Sequence, residues 1–237
     1  MFQTLVFHEI RPKNELDLGQ RPIKVADNYA DSLPLALYDE LSHFEQRIRQ
    51  LVENGSHFLT LDDVKAFYLN GTTLPEKSIL LTFDDCYQSL KKFAYPLLKQ
   101  YDIPATAFVA TGWLFDNPSP YDPAVSRVLA KSELADMSDV FAYANHTSHF
   151  HQRKGTTESR PMWETTDAFI ADLKEANAIV PITDVFAYPF GLYDQNTVAT
   201  LNDQGFYLAF TTKTGTNDHS TPRLELNRTI VGQFTPL

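Results

Sequence analysis

A chain of 237 residues, 43% apolar and 13% aromatic, is long enough for one large α/β domain with a real core, and it shows no linker, low-complexity run or short repeat. A net charge of −10 argues against nucleic acid as a partner, because phosphates would be repelled, and suits a neutral or cationic ligand. Cys86 is the only cysteine, which excludes an intrachain disulfide and a Cys-based zinc cluster; no stretch has membrane-spanning length, and the start shows no leader, so the chain by itself reads as cytoplasmic.

In chain order, Thr4 to Phe7 is predicted as a first strand that delivers His8 and Glu9 at its C-terminal end. Arg11 to Pro34 is polar and irregular and reads as a surface loop. Leu37, Leu41, Phe44, Ile48 and Leu51 recur at helical spacing, and Gly55 stops that helix. Thr60 caps a short helix with an acidic first turn that runs to Asn70-Gly71. Ser78 to Phe83 is an apolar run of the kind that forms a buried parallel strand, and it ends in Asp84 and Asp85.

Leu90, Phe93, Ala94, Leu97 and Leu98 outline an amphipathic helix that Pro96 should bend or restart. Ala105 to Ala110 is a strand delivering Thr111-Gly112-Trp113, residues 115–131 read as a loop, and Ser132 is a candidate cap for a short helix. Val140 to Ala144 delivers Asn145-His146-Thr147-Ser148-His149-Phe150-His151. Thr165 or Thr166 caps a helix with Phe169, Ile170 and Leu173 on one face; Val185 to Tyr188 is a strand ending in Pro189-Phe190-Gly191. Asp194 caps a helix that Gly205 ends, Tyr207 to Thr211 is a further strand, and Leu224 to Val231 is the last. Alternating strands and helices imply a largely parallel sheet, and about seven such units suggest a barrel of about seven parallel strands. Each polar cluster then sits at a strand's C-terminal end, where barrel strands converge on one mouth.

Two adjacent carboxylates at a strand end allow a division of labour, one binding a metal and the other handling a proton. Of the histidines at 146, 149 and 151, the first pair could share a helical face and the second a strand face. The pair 146 and 151 suits neither and needs a loop that folds back; spacing alone does not choose. Two histidines with one aspartate would leave a coordination position open for water, the hydrolytic arrangement.

Thr82-Phe83-Asp84-Asp85 resembles the first motif of polysaccharide deacetylases, carbohydrate esterase family 4. His146-Thr147-Ser148-His149-Phe150-His151 resembles the second, in the longer form found in the branch that acts on poly-β-1,6-N-acetylglucosamine. Phe186 to Gly191 is similar to that branch's third motif, and Phe7-His8 to its N-terminal aromatic–histidine pair. The resemblance runs from about His8 to Phe210. It implies a distorted (β/α) barrel formed by residues 1–237 as a single domain, metal-dependent removal of N-acetyl groups from an N-acetylglucosamine polymer, and action outside the cell or at its surface. It implies Asp84 as general base, and Asp85, His146 and His151 as ligands of one divalent metal: zinc first, with cobalt or nickel as alternatives.

The C-terminal Leu-x-His motif that supplies the acid in other members is absent, and His219 stands in the wrong context, so His8 becomes the candidate acid. The Tyr87 N–H is the expected oxyanion donor. Tyr188, Pro189, Phe190 and Trp113 are candidates for a sugar-facing wall, with core packing as the rival reading. Two departures stand out. Cys86 replaces a common glycine, at a cost of about 1 kcal/mol if that position needs positive φ. Ala187 stands where other members carry an arginine that orients the base. These departures favour, as the alternative, a catalytically silent glycan-binding member of the fold. A magnesium-dependent phosphoryl-transfer domain would leave the histidine cluster unused. A Cys86 nucleophile lacks a thioester-forming His/Asn set.

Overall fold

The computed structural model describes residues 1–236. Its central element is a sheet of nine strands: β1 (Phe2–Phe7), β2 (His57–Phe58), β3 (Ser78–Asp84), β4 (Ala105–Val109), β5 (Phe141–Asn145), β6 (Ile182–Ala187), β7 (Leu208–Phe210), β8 (Thr216–Asn217) and β9 (Thr229–Ile230). The order across the sheet is β7-β6-β5-β4-β3-β1-β8, with β9 also on β1 and β2 on β3. All pairings are parallel except β1 with β8. Every residue of β3 is buried, as its unbroken apolar run requires of a strand covered on both faces.

Helices return the chain between strands: α1 (Leu41–Glu53), α2 (Leu61–Asn70), α3 (Tyr95–Gln100), α4 (Thr166–Asn177) and α5 (Gln195–Asp203). Phe44 and Ile48 of α1 are fully buried, and Phe44 meets Phe7 and Phe83 edge-on; such side chains each contribute roughly 1.5–3 kcal/mol. Thr60 forms a capping box with Asp63, while Thr165 and Asp194 cap α4 and α5 through their side chains. Ahead of Pro96, residues Leu90–Ala94 form a π-helical turn and α3 restarts at Tyr95, because proline supplies no N–H to continue the ladder. Among the described residues no helix is long and apolar enough to cross a membrane.

Three expectations need correction. Residues 11–34 are not a surface loop: Glu9–Arg11 pairs with Tyr38–Glu40, Ile23–Lys24 pairs with Ser126–Arg127, and Arg11, Leu16, Arg21, Val25 and Leu33 are buried. Arg11 grips both Glu9 oxygens at 2.7 and 3.0 Å, so the charges satisfy one another inside the fold. Ser132 is no cap; it lies inside a Lys131–Glu133 turn whose Glu133 carboxylate accepts the Ala130 N–H. The predicted last strand is regular only at Thr229–Ile230.

That irregular segment closes the barrel. Leu226 bridges to Phe210 on the edge strand β7, and Ile230 pairs with Val6 on β1. The Leu226 N–H donates to Ala209 and the Val231 N–H to Val6, both at 2.9 Å. The barrel is therefore distorted where the chain crosses between its edges.

Candidate active site

The C-terminal ends of β1, β3, β5 and β6 surround a cavity of about 150 Å³. The strand-to-turn corner after β3 puts Asp85 and Cys86 in the left-handed region, at φ 71° and 57°. The position after the aspartate pair does require positive φ, and Cys86 bears that cost while fully buried. Burial and the charges of Asp85 and Asp84 push its thiol up, which argues against thiolate chemistry.

His146 and His151 converge on Asp85: His146 Nε2 lies 3.6 Å from Asp85 Oδ1 and His151 Nε2 lies 3.3 Å from it. One ligand atom from each of the three falls within 4.8 Å of the others, and all three residues are buried. The Ala187 carbonyl accepts from His146 Nδ1 at 2.7 Å, which fixes the tautomer and leaves the Nε2 lone pair facing Asp85. Burial lowers both histidines, with the other histidines adding to the effect on His151, so both rings stay neutral as ligands must be. Burial and the Asp84 charge push Asp85 well up, and its buried Oδ1 has no hydrogen-bond partner. An orphaned carboxylate oxygen between two neutral imidazoles fits a divalent cation with one open position.

Asp84 stands beside this trio. Arg228 holds it with both arms of the guanidinium, at 2.7 and 2.9 Å, and is itself fully buried. Burial alone would raise the Asp84 carboxyl; the Arg228 charge, with its hydrogen bonds, leads the effects that outweigh burial and hold it below the usual range. His8 Nε2 lies 4.0 Å from Asp84 Oδ2, and burial pulls its pKa down to about 4 against the Asp84 charge. Tyr87 lines the cavity. Its backbone faces Val128 in a bridge whose hydrogen bond runs from the Leu129 N–H to the Cys86 carbonyl, which leaves the Tyr87 amide out of the ladder.

Trp113 and Phe190 reach the cavity wall, with ring centres 4.3 and 4.4 Å from that of His151. Phe190 is held at φ 58°, an uncommon state for a bulky residue and one found at functional sites. Tyr188 and Pro189 do not reach it. Tyr188 is fully buried against Phe186 and Tyr193, with its hydroxyl donating to the Leu224 carbonyl at 2.8 Å. Core packing, the rival reading, describes both. His149 sits half exposed outside the trio, between Asp27 and Glu175, and His219 is stacked on Phe67, away from the cavity.

Sequence reasoning missed Arg228, a lone arginine within the predicted last strand. It also missed Asp31 and Arg153, which line the cavity mouth as a bidentate pair at 2.8 and 2.9 Å. No short-range motif marks any of the three.

Residues 71–209 match the family model of polysaccharide deacetylases, and the chain belongs to that family. A poly-beta-1,6-N-acetyl-D-glucosamine N-deacetylase of Staphylococcus aureus (strain MSSA476) is 27% identical over 196 residues, covering 77% of this chain and 66% of that protein, so the match spans just under two thirds of the relative's length. Its Staphylococcus epidermidis counterpart is 26% identical over 225 residues, covering 88% and 71%. Two solved structures share the fold at a TM-score of 0.74: IcaB from Ammonifex degensii, 22% identical over 97% of this chain and 93% of that one, and the Streptococcus pyogenes deacetylase PplD, 21% identical over 97% and 92%.

Proposed function

We propose that residues 1–237 act as one deacetylase domain that hydrolyses the acetamide of N-acetylglucosamine units in a polysaccharide and releases acetate. One observation carries this reading: a two-histidine, one-aspartate trio and an arginine-held second aspartate face the same buried cavity. Asp85, His146 and His151 would hold one divalent cation, zinc best, with cobalt or nickel also suited to the donors. When bound, such a cation polarises the acetyl carbonyl and lowers the pKa of water from ~15.7 toward about 7.

The chain's own groups do the rest. Asp84, kept charged and oriented by Arg228, takes the proton of the attacking water. The Tyr87 N–H, free of the ladder, donates to the oxygen on which negative charge develops. His8 delivers a proton to the departing amine. It is neutral in the resting protein, so it passes on a proton gained during the cycle, and Asp84 Oδ2 is 4.0 Å away. Trp113 and Phe190 form the apolar wall against which a sugar ring and its acetyl methyl pack. The names of the staphylococcal relatives support a β-1,6-linked N-acetylglucosamine polymer as substrate; as an exopolysaccharide, such a polymer would be met at or beyond the cell surface.

The test is metal content and acetate release measured together. The parent, loaded with zinc or cobalt and desalted, should retain about one equivalent and release acetate from N-acetylglucosamine oligomers, with both lost in Asp85→Asn and His151→Ala. Retained metal and bound glycan without acetate release would replace this reading with a silent glycan binder.

A further inference from the structure

His146 and His151 are five residues apart, and neither a helix nor a strand aims such a pair at one point. The chain does so by reversing at Thr147, which sits at φ 74°. A reversal of this kind strips the following N–H groups of ladder partners, and here Ser148 is buried and His149 partly buried. Both find one acceptor. The Ser148 N–H donates to Asp172 Oδ2 at 2.8 Å and the His149 N–H to Asp172 Oδ1 at 2.6 Å.

Asp172 projects from the buried face of α4. The same helix holds the loop's first residue: Asn145 Nδ2 donates to the Leu173 carbonyl at 3.1 Å and to Asn177 Oδ1 at 2.8 Å, while Asn145 Oδ1 accepts the Thr147 N–H at 2.7 Å. From the other side, Thr111 and Gly112 donate their N–H groups to the carbonyls of Thr147 and Ser148 at 3.0 and 3.1 Å. That approach needs a glycine, since a Cβ on Gly112 would run into the His149 ring and come within 2.7 Å of the Ser148 oxygen.

We propose that Asp172 is a positioning residue for the metal centre: by accepting both N–H groups it holds the reversal that brings His146 and His151 onto Asp85. This rests on the reading of that trio as a cation site. Asp172 touches neither cation nor substrate; it acts through the backbone of the loop. A carboxylate is required because both groups presented to it are donors. An asparagine has one acceptor oxygen, and its NH2 would meet the second N–H donor to donor. Without Asp172 one buried and one partly buried N–H group lose their partner, and the loop gains by relaxing away from the reversed form. The histidine pair that the geometry selects, 146 with 151, is then no longer imposed.

The experiment measures cobalt(II) affinity by competition and the visible spectrum of the cobalt-loaded protein, for the parent, Asp172→Asn and Asp172→Ala. The control is Leu201→Ala, which removes a fully buried side chain on α5 and lowers stability without removing any hydrogen bond of the loop. Cobalt affinity should fall about 10- to 100-fold in both Asp172 variants, the usual range for losing an outer partner of a metal ligand. The cobalt bands should change shape, while Leu201→Ala keeps parental affinity and bands. If Asp172→Ala does not fold, Asp172→Asn, which keeps one acceptor, carries the test. A folded Asp172→Asn that binds cobalt with parental affinity and spectrum overturns the proposal, as does an equal loss in Leu201→Ala. A parent that binds no cobalt overturns the cation reading itself, a separate outcome.

Discussion

Asp84 shows what a single residue needs in order to act as a base in a buried site. Its carboxylate is almost fully removed from water, a state that persists only because Arg228 neutralises it through two hydrogen bonds. Arg228 is anchored in turn by its Nε donating to the Thr211 carbonyl at 2.8 Å. Breaking a buried pair leaves an uncompensated charge at a cost of about 3–5 kcal/mol. Arg228→Met should therefore lower stability by that order and drop kcat by roughly 100-fold, the low end of what an oriented base contributes. Arg228→Lys should recover little, because an ammonium cannot match the two-armed geometry. Thermal unfolding and acetate-release rates check this, and parental kcat in Arg228→Lys would remove the orienting role.

The aspartate pair and the histidine cluster were legible in the sequence because their partners sit close along the chain. Arg228 lies 144 residues from Asp84, and nothing in its neighbourhood announces that partner. Tyr188 stays between two readings, sugar-facing wall and core, for a related reason. A residue at a strand end can face the mouth or the core, and the sequence does not say which; here its hydroxyl is satisfied by Leu224 inside the core.

At the scale of elements, the least legible part is the stretch between His8 and α1, which forms one wall of the cavity. Its polar composition looks like solvated loop, yet its charges pair with each other and with carbonyls, so polarity no longer signals exposure. It is fastened over the site by Tyr29 stacked on Trp113 and by Asp31 clasped by Arg153 of the loop beyond His151. Partial burial raises the Asp31 carboxyl, but the Arg153 hydrogen bonds, the Ser32 N–H and the Arg153 charge outweigh it and set it below its ordinary value. A depressed folded-state pKa stabilises above the unfolded value of about 3.9, and that contribution is lost as pH falls through the folded value. Because the pair is only partly buried at the cavity mouth, solvent screening holds it to about 1 kcal/mol. Asp31→Asn should therefore lower thermal stability slightly at pH 7 and raise KM as the wall loosens. The stability gap should close as pH drops below about 3.9. A gap that stays constant into that acid range would assign the effect to packing rather than to the ion pair.

For the whole molecule, the barrel was readable because alternation of strand and helix implies a largely parallel sheet and brings the parallel strands' C-terminal ends to one mouth. The closure was not readable, since an irregular segment that touches β7 and then β1 carries no period for a sequence to display. The site sits in a protein of net charge −10, and its proposed product becomes more cationic with every acetyl group removed. Long-range attraction between an acidic surface and a polyamine is screened over about 10 Å at 0.1 M salt, so it should weaken steeply with ionic strength. A fully deacetylated oligomer should bind at least about fivefold more weakly at 0.5 M than at 0.05 M salt, while an N-acetylated oligomer of equal length, carrying no charge, should change little. Calorimetric titration of both oligomers at the two salt concentrations separates the contributions. Equal salt response of the two would assign binding to contacts within the cavity alone and leave the net charge without a role in holding the product.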